Sequence, residues 1–256
     1  PIYQRYEVIL FDETDIQVQG EDTTRTFKKD QLIYDIEVTT EAFNQTQAVI
    51  DTMNIEENQI ILESEDEIYF VTIKGSHIEL DVGAFSKGYA TEKAKDYLIE
   101  QGVTYFSISA GSSTISVGQN INRPTQNEVY IISLTDPITS LPFFKEPYGI
   151  IHIKNQSLAT SGNFEQYTMY QGLRYHHLIS PFTLTPTHDY AALTIIGDDA
   201  GLLDALSTAL FVMPKNMFDA FMETHQTSLN IQVIRYNTDN TIDTFITDVY
   251  FEDLLS

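Results

Sequence analysis

Asp204 and Thr208 stand four residues apart in the run Asp204-Ala205-Leu206-Ser207-Thr208. On a helix that spacing puts both side chains on one face. A carboxylate with a hydroxyl is a sparse oxygen cage, suited to a Mg²⁺ ion that keeps waters and takes phosphate oxygens from its ligand. The competing reading, commoner for this pattern, is a solvated aspartate beside a packing threonine. The neighbours Leu202, Leu203, Leu206, Leu210 and Phe211 make the helix substantially apolar, which gives a polar pair there a purpose.

The segment Asp81-Val82-Gly83-Ala84-Phe85-Ser86-Lys87-Gly88-Tyr89-Ala90 supplies what a metal alone would lack. A strand, Ile78 to Asp81, runs through a small-residue turn into a helix. Such a turn gathers backbone N–H groups and the positive end of a helix dipole at one point, where an anion such as a phosphate binds well. Lys87 either reaches back to that phosphate or to a ligand carbonyl, or is a surface lysine. Asp81 is either a ligand carboxylate or a helix-entry cap.

His176 and His177 fall in one expected strand, so they point to opposite faces and only one can enter a given site. A histidine is the best available general base near neutral pH for activating a hydroxyl. The alternative for each is a strand histidine bonded to a neighbour. Two small-residue loops, Thr160-Ser161-Gly162-Asn163 and Ala110-Gly111-Ser112-Ser113, sit beside strands and could wrap a ligand with backbone donors. Neither fits a P-loop, a dinucleotide fingerprint or a nucleophile elbow.

The chain of 256 residues is long enough to bury a core, and its 42% apolar and 20% charged content is that of a globular protein. No apolar run approaches the length of a membrane-spanning helix. The net charge of −23, from 37 acidic and 14 basic side chains, argues against nucleic acid and anionic membranes as partners. The same field opposes a phosphorylated ligand, so a phosphate site here needs a metal and local donors. With no cysteine, disulfides, thiolate metal sites and cysteine nucleophiles are excluded. The lack of cysteine fits an exported protein, and a chain opening at Pro1 reads as processed or trimmed.

The elements that must position these groups follow from periodicity. Phe43 to Met53 reads as a short helix, and Gln59 to Leu62, Ile68 to Ile73 and Ile78 to Asp81 as strands. Ser86 to Gln101 reads as a helix with Ala90, Ala94, Tyr97 and Leu98 on one face and Gly102 just past its end. Strands are expected at Val103 to Ser109, Val129 to Leu134, Ile150 to Lys154 and Ala192 to Ile196. A hairpin over Phe164 to Ile179 turns at Gln171-Gly172. A helix over Ala200 to Met213 is stopped by Pro214. A terminal strand pair, Asn230 to Tyr236 and Asp243 to Phe251, closes the chain. Without strict βαβ alternation this predicts an α+β fold of mainly antiparallel sheets packed with helices, in a single domain over residues 1–256.

The order of four segments is more specific than any one of them. The Asp81 to Ala90 segment comes first, then Ser157-Leu-Ala-Thr-Ser-Gly-Asn, then Arg174-Tyr-His-His-Leu-Ile-Ser-Pro, then Asp204-Ala-Leu-Ser-Thr-Ala-Leu-Phe-Val. From roughly Thr40 to Met213 the series closely resembles the ApbE family of FAD:protein FMN transferases. The resemblance implies an enzyme that binds FAD with Mg²⁺, cleaves its pyrophosphate, links FMN to a Ser or Thr hydroxyl of an acceptor protein, and releases AMP. By position, Asp81, Lys87 and Ser161 would contact FAD. The metal would be held by Asp204, Thr208 and the main-chain oxygen of Ala84, and His177 would take the acceptor's proton. The resemblance also implies an extracytoplasmic, often lipid-anchored protein acting on an exported acceptor. Departures from the family pattern are Ser180-Pro181 in place of Asp-Pro, Thr183-Leu184 in place of Thr-Gly, and a shorter amino-terminal part. The same site would serve an FAD pyrophosphatase, and those departures would suit a flavin-binding protein without turnover.

Overall fold

The computed structural model describes residues 81–255 apart from 112, 123–126, 138–146, 165 and 172. It also describes residue 44 and the segments 7–10, 15–19, 24–28, 59–65 and 68–74. The expected helix over Phe43 to Met53 and the expected strand from Ile78 lie outside the described residues, except for Asn44 and for Asp81, which is in neither a helix nor a strand.

Every strand pairing among the described residues is antiparallel. Strands β1 (Glu7–Leu10), β2 (Asp15–Gln19) and β3 (Thr24–Lys28) form one sheet, and β4 (Gln59–Glu65) and β5 (Ile68–Lys74) a hairpin. The rest is built from β6 (Ser107–Ala110), β7 (Thr114–Val117), β8 (Tyr130–Thr135), β9 (Pro147–Ile153), β10 (Gln156–Gly162), β11 (Tyr167–Tyr170), β12 (Leu173–His176), β13 (Tyr190–Gly197), β14 (Gln232–Asn237), β15 (Ile242–Phe245) and β16 (Tyr250–Asp253). A six-stranded sheet runs β15-β14-β13-β10-β7-β6, a three-stranded sheet β16-β9-β8, and β11-β12 pair alone. Helices α1 (Ser86–Glu100), α2 (Ala200–Phe211) and α3 (Lys215–Leu229) complete the α+β fold.

All eight residues of β13 are buried, because the six-stranded sheet is covered on both faces. Its Leu193 and Ile195 meet Leu203, Leu210 and Phe211 of α2, with Phe218 and Met222 of α3 in the same cluster. Its Ala192 and Ile196 face the other way, towards Leu134, Tyr148, Ile151 and Ile153 of β8 and β9. The result is helices, sheet, sheet, with an apolar layer on each side of the larger sheet.

The ends of α1 and α2 follow local chemistry. Asp199 caps α2 by accepting from Gly201 N (2.8 Å) and Leu202 N (3.0 Å). Gly102, at φ +75°, ends α1: its N–H donates to Ile99 O and that of Val103 to Leu98 O, both at 2.9 Å. Val103 is thereby drawn into the helix terminus, so the strand expected from Val103 starts only at Ser107.

Three other expectations are corrected. The face of α1 read as apolar is largely outward, with Tyr97 61% exposed, and the helix instead buries Gly88 and Thr91. Thr160-Ser161-Gly162 is not loop but the end of β10; its small polar side chains hide a strand buried between neighbours. The run Asp243 to Phe251 is two strands in two sheets, because Gln232 Oε1 accepts from the N–H groups of Thr247, Asp248 and Val249 and fixes a corner between β15 and β16. Helix α3 went unread although Phe218, Phe221, Met222 and Leu229 recur at helical spacing.

Candidate active site

All seven residues singled out in the sequence, Asp81, Ala84, Lys87, Ser161, His177, Asp204 and Thr208, line one cavity of about 730 Å³. Four elements bring them there: the turn into α1, the end of β10, the segment after β12, and α2.

The anchor is Asp204, only 4% exposed. Its Oδ2 accepts from Gly88 N at 2.8 Å and its Oδ1 from Thr114 Oγ1 at 3.1 Å. Gly88 is the third residue of α1, so its N–H has no partner within its own helix, and the carboxylate of another helix satisfies it. The approach is close: a Cβ on Gly88 would lie 2.2 Å from Ala200 O and 2.4 Å from Asp204 Cβ. Glycine is required there by packing. Glu92 Oε2 accepts from Ala200 N (2.7 Å) and is paired with Lys95 (2.7 Å), pinning the same two helices further along.

One turn along α2, hydroxyls form a directed chain. Ser207 donates to Asp204 O (2.9 Å), so it accepts from Ser161 Oγ, 2.9 Å away. Thr208 Oγ1 lies 3.3 Å from Ser161 Oγ and, in that chain, is the donor to it. The lone pairs of Thr208 are thereby left for a cation. Asp204 uses two of its roughly four acceptor sites, so it too can take one. The donor set of carboxylate, hydroxyl and the nearby Ala84 carbonyl is all hard oxygen, and it fits Mg²⁺ with coordinated waters. Among the described residues no group of three or more His, Asp or Glu side chains comes together as a metal cluster, so the ion would rest on one carboxylate, a hydroxyl, a carbonyl and waters.

Asp81 and Lys87 are both exposed on the cavity wall. Asp81 Oδ1 accepts from Gly83 N at 2.7 Å, holding the turn into α1, and Lys87 Nζ approaches Gly83 O at 3.4 Å. The Asp81 bond is a turn bond ahead of the helix and not a cap on it: the N-cap residue of α1 is Phe85, which makes no side-chain cap bond.

The two histidines separate cleanly. His176 is 2% exposed, donates from Nε2 to Thr187 O (2.7 Å) and accepts at Nδ1 from Leu178 N (3.2 Å). Burial pulls its pKa down to about 4, with the Thr187 bond opposing and His177 and His188 adding to the effect. It is a neutral core residue. His177 faces the cavity, with Nδ1 3.3 Å from Gln166 O. That bond fixes the proton on Nδ1 and leaves Nε2 as the acceptor, the tautomer a general base needs.

The segment that holds His177 explains two departures from the family pattern. Ser180, 1% exposed, accepts from Phe182 N at its Oγ (3.3 Å), doing locally what an aspartate does in such a turn. Leu184 has φ +58°, a conformation in which glycine is at ease and leucine is strained. Both residues close a tight loop: Leu184 N donates to Ser180 O and Ser180 N to Thr185 O.

Sequence reasoning did not single out Gly88, Thr114 or Ser207 as site members. Gly88 lies inside the Asp81 to Ala90 segment and Ser207 inside the segment that opens at Asp204, and Thr114 directly follows the small-residue turn at Ala110 to Ser113. Nothing local to Gly88 signals its contact with Asp204, which lies 116 residues away.

The sequence profile described as ApbE family matches residues 20–233. Proteins named FAD:protein FMN transferase are similar to this chain. That of Rhodobacter capsulatus is 30% identical over 144 residues, 55% of this chain and 26% of its own length. That of Klebsiella pneumoniae is 30% identical over 135 residues, 52% of this chain and 39% of its own length. One from Vibrio cholerae is 27% identical over 197 residues, 75% and 53%. The chain thus spans about a quarter to a half of these relatives. Among solved structures, the ApbE protein of Thermotoga maritima has a TM-score of 0.60 at 21% identity, covering 78% of this chain and 60% of that one. The flavin transferase ApbE from Vibrio cholerae has a TM-score of 0.55 at 24% identity, covering 84% and 63%. At these identities the two structures speak for the fold.

Proposed function

This chain belongs to the ApbE family, and from that premise we propose that it transfers FMN from FAD to a Ser or Thr hydroxyl of an acceptor protein, with Mg²⁺, releasing AMP. The observation that carries the proposal is the meeting of Asp81, Ala84, Lys87, Ser161, His177, Asp204 and Thr208 around one cavity, drawn from segments that the sequence spreads over more than a hundred residues.

The geometry is compatible with the roles that the family resemblance implies. Asp204, Thr208 and the Ala84 carbonyl would hold the metal, which when bound neutralises charge on the pyrophosphate oxygens. Lys87 and the N-terminus of α1 add positive potential at the same place, the main requirement of phosphoryl transfer. His177 Nε2 takes the proton from the acceptor hydroxyl. The hydroxyl oxygen forms a bond to the FMN phosphorus in line with the departing group, the bond from that phosphorus to the bridging oxygen breaks, and AMP leaves with that oxygen. An exported acceptor and an extracytoplasmic, lipid-anchored setting belong to the same proposal; the absence of cysteine is in keeping with them.

The test is one reaction containing this protein, FAD, Mg²⁺ and a flavin-acceptor domain, with a chelator control, read by mass spectrometry and nucleotide chromatography. An acceptor heavier by FMN, with AMP released only when metal is present, is the expected outcome. Free FMN and AMP with an unmodified acceptor would point to hydrolysis instead, and intact FAD throughout would remove the catalytic assignment. His177→Ala is expected to keep FAD binding and slow transfer by ~10²–10⁴.

A further inference from the structure

Thr114 is fully buried and opens strand β7. Its partners across the sheet are Ala110 on β6 and Ala159 on β10. Residues paired in this way share a face, and Ala159 packs in the cluster that Leu203 and Leu210 of α2 share. The row Ala110, Thr114, Ala159 thus sets one hydroxyl between two methyl groups, on the side where α2 lies. There the hydroxyl donates to Asp204 Oδ1 at 3.1 Å. No solvent reaches it, so the carboxylate alone sets its direction.

Thr114 is not part of the cavity wall. Its neighbours Ser113 and Ile115 line the cavity and it does not, so it can reach a ligand only through Asp204. Its effect on Asp204 is geometric. Gly88 N holds Oδ2 from α1, and the Thr114 hydroxyl holds Oδ1 from β7. With each oxygen tied to a different element, the carboxylate cannot turn about its Cβ–Cγ bond without breaking a buried hydrogen bond. Its remaining lone pairs therefore keep one orientation towards the cavity.

A fixed carboxylate matters most to a small ion. Mg²⁺ demands near-ideal octahedral geometry, whereas Ca²⁺ accepts flexible arrangements in which a carboxylate can give both oxygens. The donor set of Asp204, Thr208 and the Ala84 carbonyl contains one carboxylate, so no other compensates if it turns. Resting on the Mg²⁺ reading above, we propose that Thr114 is a positioning residue for the metal. Its hydroxyl locks the Asp204 carboxylate in the orientation that favours Mg²⁺ over Ca²⁺.

The test follows the melting temperature of the full chain as MgCl₂ or CaCl₂ is added, with ionic strength held constant by KCl. A bound ion raises it by an amount that the ion's concentration and Kd set. Asp204→Asn supplies the background from the rest of the acidic surface. Thr114→Val keeps the shape and strand preference of threonine and removes the hydroxyl. It is expected to weaken Mg²⁺ by about tenfold or more, the scale on which groups that orient metal ligands act, and Ca²⁺ by clearly less. Thr114→Ser keeps the hydroxyl and should restore the Mg²⁺ affinity. If Thr114→Val does not fold, Thr114→Ala is read in its place. Unchanged Mg²⁺ affinity without the hydroxyl overturns the proposal and leaves the metal reading intact. Equal losses for the two ions, or no recovery in Thr114→Ser, would make Thr114 a packing residue and overturn it too. A wild type that gains no more from Mg²⁺ than Asp204→Asn does would fail the metal reading itself, and this assignment with it.

Discussion

Asp204 serves two purposes that one substitution can separate. Its oxygens satisfy Gly88 N–H and the Thr114 hydroxyl in a nearly water-free place, and its charge is what a cation would need. Asp204→Asn keeps an acceptor oxygen and loses the charge, so it should fold while losing metal-dependent FAD turnover by a factor of 10² or more. Asp204→Ala leaves two buried donors unpaired and should cost about 1–3 kcal/mol of stability as well. Thermal melts beside rate measurements distinguish the two, and full turnover in Asp204→Asn would dismiss the metal role. His176 gives a prediction of a different kind. Its pKa is depressed to about 4 from an ordinary 6.5, so the unfolded chain binds its proton more readily than the folded one. The contribution of neutral His176 is complete above pH 6.5 and is lost as the pH falls towards 4. At about 1.36 kcal/mol per pKa unit that is on the order of 3 kcal/mol. His176→Gln retains one donor and one acceptor but does not titrate. Its melting temperature should fall less steeply between pH 6.5 and pH 4 than that of the wild type, and parallel curves would mean that His176 carries none of the acid sensitivity.

Between α1 and α2 the site depends on a distance rather than on a functional group. Helix propensity favours Gly88→Ala by about 1 kcal/mol, but the new methyl would meet Ala200 O at 2.2 Å and Asp204 Cβ at 2.4 Å. Neither neighbour is a flexible chain end, so the helices must part. Destabilisation of about 1–3 kcal/mol is expected, and the turnover loss should exceed what the melting temperature explains, because Lys87 and Asp204 ride on the two helices. A variant as stable and as active as the wild type would show that this spacing is not a constraint. The same contact marks where sequence reading ran out. Local signals placed α1, α2 and the β11–β12 hairpin, since caps, glycines and apolar periodicity act within a few residues. They also brought Asp204 and the pair His176 and His177 to notice, and the family resemblance chose His177 of the two. What they could not carry was which face of α1 is buried, because that is decided by α2, more than a hundred residues away. The Thr160-Ser161-Gly162 run has turn composition, yet it pairs with β13 along its length, and Thr160 N donates to Ser113 O on the other side. The split of the last strands rests on one glutamine side chain, Gln232, capturing three backbone N–H groups.

For the molecule as a whole, the net charge of −23 sets the conditions under which a dinucleotide can bind. FAD would bring negative charge into a field of the same sign, and among the described residues the local groups that oppose it are Lys87 and the start of α1 on the cavity wall. Without metal, screening should therefore help binding. Raising KCl from about 10 mM to about 150 mM shortens the Debye length from roughly 30 Å to roughly 8 Å, and the metal-free Kd for FAD should fall several-fold. With saturating Mg²⁺ the local charge at Asp204 is reversed, so the same salt change should have little effect or weaken binding. Flavin fluorescence is a convenient readout, since the ring is excited in the visible, where no protein side chain absorbs. A metal-free Kd that rises with salt would mean that Lys87 and the helix terminus outweigh the global field at the site. The acidity of the chain would then be a matter of its surface alone, and the need for a metal would have to be argued from catalysis rather than from binding.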